Sequence, residues 1–166
     1  MKKTKLAMIL LAAFSTVSIA NAATAKHQYS LKGDAPTGTK LQSTIATSSV
    51  PFDKRYFELN DSEKATFRAQ YDQLATTVIP PFPRAGMQAI YKPIIEAQQK
   101  TTSSGNLSLK VVVDENGRVA DLSVAESPNR QLAKASAEIL RRTQFDPAFC
   151  AGVPCKMEFP VEIKFQ

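Results

Sequence analysis

Residues 107–113 read Leu-Ser-Leu-Lys-Val-Val-Val, which puts Leu107, Leu109, Val111 and Val113 on one face of a strand of period two. Asp114-Glu115-Asn116-Gly117 follows. Gly117 reaches positive φ without a Cβ penalty, so the segment predicts a hairpin turn closed by a glycine bulge. Alternation resumes over 118–126, with Ala120, Leu122 and Val124 expected on the inner face. Ser127-Pro128 then predicts a helix start, with Ser127 as N-cap and Pro128 at the first helical position. That helix is expected to reach Arg142 and to carry Leu132, Ala135, Ile139 and Leu140 on one side. Arg141 and Arg142 would sit at the negative end of its dipole. Finally, Met157, Phe159, Val161, Ile163 and Phe165 alternate with Lys156, Glu158, Pro160, Glu162 and Lys164. This is a strand with one apolar face and one wet face.

Upstream the period changes. Asn60 or Asp61 can N-cap a first helix, and Glu63 stands at the capping-box spacing from Asn60. Phe67, Tyr71, Leu74 and Val78 recur on one helical face until Ile79-Pro80-Pro81 ends the pattern. A second helical segment is expected over 84–99, built on Met87, Ile90, Tyr91, Ile94 and Ile95, with Pro93 kinking it or marking its first turn. The resulting fold class is α+β, a small antiparallel sheet of about three strands with helices packed on one face.

Residues 23–58 are mostly small and polar and read as a flexible arm. Tyr29, Leu31, Leu41 and Ile45 are the exceptions and leave a short docked strand open. The expected organisation is a leader at 1–22, the arm at 23–58, a helical extension at 59–78 and a domain at 79–166.

The leader has a basic start (Met1-Lys2-Lys3-Thr4-Lys5), an apolar run from Leu6 to Ala20 and a cleavage site at Ala20-Asn21-Ala22. It reads as a secretory signal cut after Ala22. The alternative is an uncleaved membrane anchor, but the run is about 15 residues and a span needs ~20. The chain holds 21 basic and 15 acidic side chains, a net +6, and three of its lysines lie in the leader. With no arginine stripe or aromatic stacking platform, nothing points to nucleic acid.

Cys150 and Cys155 flank Ala-Gly-Val-Pro. In an exported chain such a pair reads first as a structural disulfide. Redox catalysis favours two intervening residues at a helix N-terminus, and zinc needs four ligands. The sole histidine, His27, stands in the arm. No nucleophile elbow, phosphate loop or dinucleotide fingerprint is present, so no enzyme activity and no cofactor are expected.

Six segments taken in order resemble the TonB C-terminal domain family of Gram-negative bacteria. They are Pro81-Phe82-Pro83, Gly105 with its strand, Val113 through Val119, Glu126-Ser127, Phe145-Asp146-Pro147-Ala148, and Gly152-Val153-Pro154 with the closing strand to Phe165. The resemblance covers roughly residues 79–166 and implies a periplasmic domain that binds a protein by adding the partner's strand at a sheet edge. The partner so implied is an outer-membrane receptor or another envelope protein. The candidate strand is the last one, with Lys156, Glu158, Pro160, Glu162 and Lys164 as candidate partner-binding residues. Pro160 removes a ladder donor, which suits an edge and serves equally as protection against aggregation. The Cys150–Cys155 pair departs from the family pattern, and so does the lack of a proline-rich spacer. Three readings stay open: an exported TonB-like binding protein, a short energy transducer that keeps its N-terminal segment as an anchor, and a structural or inhibitory domain sharing only the fold. Exposed edges also leave a swapped homodimer open.

Overall fold

The computed structural model describes residues 29–32, 45–48 and 50–165. The leader, its cleavage site, His27 and Leu41 lie outside the described residues. In chain order the elements are β1 (Tyr29–Lys32), β2 (Ile45–Ser48), a 3₁₀ turn at Tyr56–Glu58, α1 (Asp61–Arg68), β3 (Phe82–Pro83), α2 (Gln88–Thr101), β4 (Gly105–Val113), β5 (Val119–Glu126), α3 (Arg130–Arg142), β6 (Phe145–Asp146), β7 (Ala148–Cys150), β8 (Val153–Cys155) and β9 (Met157–Phe165).

The expected α+β architecture is present. β4 is the central strand of an antiparallel three-stranded sheet, order β5-β4-β9. Period-two alternation explains its core: Leu107, Leu109, Val111 and Val113 of β4 and Phe159, Val161, Ile163 and Phe165 of β9 are all buried. They join one apolar cluster with Ile90, Tyr91, Ile94 and Ile95 of α2 and Leu132 and Leu140 of α3. The register runs without slippage from Gly105↔Phe165 to Val113↔Met157. The short ladders β1–β2, β3–β6 and β7–β8 stand beside this sheet. Among the described residues no helix is long and apolar enough to cross a membrane.

The turn after β4 depends on Gly117, which has φ 77°. Its amide donates to the Asp114 carbonyl at 3.0 Å, and its own carbonyl accepts the Phe145 amide at 3.1 Å. A Cβ there would stand 2.1 Å from the Phe145 carbonyl oxygen, so glycine is required by packing as well as by φ.

Several elements differ from expectation, each for a local reason. Of the residues expected on the inner face of β5 only Leu122 packs against the core, joined by Val119; Val124 is 41 % exposed and Ala120 is exposed as well. The register slips between Val112 and Val113, so Ala120 is the extra residue of a bulge. α3 is capped by Asn129, not Ser127: the Asn129 Oδ1 accepts the Leu132 amide at 2.7 Å, while the Ser127 hydroxyl donates to the Asn129 carbonyl. α2 begins at Gln88 rather than 84, because Phe82–Pro83 pairs with β6 and Gly86 turns at φ 78°. Pro93 lies inside α2 instead of opening it.

α1 has the predicted capping box on Asn60 and Glu63, but it ends at Arg68, so Tyr71, Leu74 and Val78 do not extend its face. The Arg68 guanidinium donates to the Ala75 and Val78 carbonyls, and Gln73 sits at φ 56°, which folds the segment back on the helix. Within the stretch read as a flexible arm, Val50, Phe52 and Tyr56 are buried in the core. Tyr56 meets the rings of Phe67 and Phe82 at 6.1 and 5.8 Å.

Candidate functional site

A three-stranded sheet has two edges, and here they differ. The β5 edge is irregular, with register shifts at Ser108/Leu109 and Val112/Val113. Its Leu122 amide donates to the Asp121 carboxylate at 2.8 Å, which satisfies an outward N–H from within the strand. Bulges twist an edge away from a straight partner. β9 is 9 residues long and follows β4 with no bulge. It is the straighter and longer template for an incoming strand.

Alternation decides which β9 backbone groups face outward. In an antiparallel strand the N–H and C=O of residue i point to one side and those of i+1 to the other. The Glu162 carbonyl accepts the Tyr91 hydroxyl at 3.1 Å. Pro160 lies opposite Lys110 and has no N–H to offer. The ladder to β4 is therefore carried by Phe159, Val161 and Ile163, and the backbone of Glu158, Pro160, Glu162 and Lys164 looks away from β4. The outward edge offers the amides of Glu158, Glu162 and Lys164, with a gap at Pro160. Tyr91 holds one of its carbonyls from below. Burial pushes the Tyr91 hydroxyl well above the ordinary phenol range, so it acts as a neutral donor.

The structure places Glu158, Pro160, Glu162 and Lys164 together on the solvent-side face of β9, and Lys156 one residue before the strand. Glu158 pairs with Lys110 across the ladder at 3.1 Å, with both side chains more than half exposed. Such a pair contributes about 0–1 kcal/mol. Glu162 and Lys164 line a groove of about 550 Å³ together with Ser48, Tyr91, Asn106 and Glu126. The Cys150 and Cys155 sulfurs are bonded, with the Cα atoms 5.8 Å apart, and staple the β7–β8 hairpin. Its tip carries Val153, 64 % exposed.

Sequence reasoning missed a second cluster. Glu63 is buried at the start of α1. Its carboxylate accepts the Asn60 amide at 2.9 Å, the Lys54 ammonium at 3.1 Å and the Tyr29 hydroxyl at 3.0 Å. Burial alone would raise its pKa; the Asn60, Lys54 and Tyr29 donors outweigh that and hold it below its ordinary value. The bond to Glu63, with burial and the Glu63 charge adding to it, raises Tyr29 in turn. The capping box was readable in the sequence, but the two further donors come from residues 34 and 9 positions away. Among the described residues no group of His, Cys, Asp or Glu could hold a metal ion.

No curated protein matches the chain. The family model described as Gram-negative bacterial TonB protein C-terminal matches residues 96–166. The match takes in the end of α2, the whole β5-β4-β9 sheet, α3 and the β7–β8 hairpin, and it leaves out β1, β2, α1 and β3. With that match on a sheet of this topology, residues 96–166 are similar to the TonB C-terminal family.

Proposed function

We propose that the chain is an exported TonB-like protein that binds an envelope protein by taking one of its strands onto the outward edge of β9. The observation that carries this reading is the contrast between the two edges. β9 is long, unbulged and terminal in the sheet, whereas β5 is bulged and self-capped. Main-chain hydrogen bonds to Glu158, Glu162 and Lys164 supply the binding, and the side chains beside them supply choice. The gap at Pro160 selects a partner that can leave one carbonyl unpaired there. The leader pattern at 1–22 supports export across the inner membrane to the periplasm, and an outer-membrane receptor is the partner class that fits the family.

The test is site-specific photocrosslinking in a Gram-negative host. A photoreactive residue at Glu158 or Lys164 is expected to capture one defined envelope protein through an extended segment, and the same probe at Asp121 on β5 is not. Capture from Asp121 alone would contradict the reading. The leader admits a second reading, a short transducer anchored by its own N-terminus. Intact mass of the exported protein separates the two: a start at Ala23 excludes the anchor.

A further inference from the structure

β2 comes alongside β9, with Cα atoms closer than 8 Å. Ser48 at the end of β2 lines the same groove as Glu162, Ile163 and Lys164 of β9. Yet among the described residues β2 pairs only with β1, and β9 is the end strand of its own sheet. The chain thus holds a strand of its own beside the edge assigned to the partner, without spending the ladder of β9 on it.

We propose that the β1–β2 hairpin is a displaceable resident on the docking edge of β9, which an incoming partner strand must push aside. This rests on the edge-pairing reading above. Three features make the resident both held and releasable. Ser48 is buried, and its hydroxyl accepts the Val50 amide at 3.2 Å. Val50 is fully buried in the core, so the end of β2 is tethered and stays near β9 after release. At the other strand, Tyr29 is fastened to Glu63 by one hydroxyl bond, and Glu63 is itself fixed by Asn60 and Lys54. A latch made of side-chain bonds opens far more easily than a shared ladder. The groove between Ser48, Tyr91, Glu162 and Lys164 gives an incoming chain a place to start. β1, β2, Lys54 and Glu63 all lie outside the family match at 96–166.

The test uses isotope-labelled full-length chain titrated with a synthetic peptide of residues 41–50, followed by amide resonances. The peptide is expected to perturb Glu158, Glu162 and Lys164. Half-saturation should need about tenfold less peptide in Tyr29→Phe, which loses one bond to a charged acceptor. Unchanged β4 resonances in that variant verify the fold. Equal half-saturation in the two proteins, perturbations confined to β5, or no perturbation at all would overturn the proposal. The peptide is the chain's own sequence, so this result is independent of whether crosslinking finds an envelope partner.

Discussion

At the residue scale, two buried tyrosines show how a hydroxyl earns or lacks its place. The Tyr91 oxygen donates to Glu162 on β9. The Tyr71 oxygen is buried with no hydrogen-bond partner among the described residues. Desolvating a hydroxyl without a bond is unfavourable, and making one net bond is worth about 1 kcal/mol. Tyr71→Phe is therefore expected to raise stability by about 1 kcal/mol, and Tyr91→Phe to lower it by a similar amount, read from denaturant midpoints at constant slope. Equal effects from both changes would contradict this. Glu63 gives a pH prediction. A carboxylate whose folded pKa is depressed adds stability above its unfolded pKa and loses it as pH falls through the folded value. The hairpin latch should accordingly hold at neutral pH and loosen in acid, below the ordinary carboxylate range. Amide exchange in Tyr29–Lys32 measured against pH checks this. Glu63→Gln should flatten the acid dependence.

At the scale of elements, β9 shows why one face of a strand cannot be exchanged for the other. Ile163 is 3 % exposed, whereas Lys164 faces solvent. Ile163→Asp buries a charge and is expected to cost on the order of 4 kcal/mol, enough to unfold a small domain. Lys164→Glu should leave the melting temperature within a few degrees of the parent. Reversal of the two results would mean that the register is wrong by one residue. This element was legible in the sequence because its apolar residues sit at strict period two against charged neighbours. β4 was legible for the same reason. β5 was not: its inner residues are only partly covered, and the bulge at Ala120 shifts the phase where the pattern has least to lose. The end of α1 was hidden too. It depends on Arg68 reaching the Ala75 and Val78 carbonyls and on the positive φ of Gln73, neither of which periodicity encodes. The Asn129 cap shows how two adjacent capping residues leave a helix start ambiguous by a few positions.

At the scale of the whole molecule, the chain joins the segment at 96–166, which is similar to TonB C-terminal domains, to an N-terminal portion that folds onto it. Val50, Phe52, Tyr56 and Phe67 extend the apolar cluster past the domain, and the Phe67 ring meets Phe159 of β9 at 6.1 Å. The β9 face of the candidate site could be read from alternation alone. Which edge is straight, and what lies beside it, could not. Edge choice depends on bulges, and the approach of β2 depends on contacts far apart in sequence. The central claim is that the backbone of Glu158, Glu162 and Lys164 faces outward as the docking edge. It is tested most directly by Glu162→Pro, which deletes one outward N–H and no bond to β4. The protein should stay folded, with its thermal transition near that of the parent, and crosslinking of the envelope partner through β9 should disappear. Loss of the fold would place that amide in the β4 ladder, and undiminished crosslinking would place the partner elsewhere; either result contradicts the account.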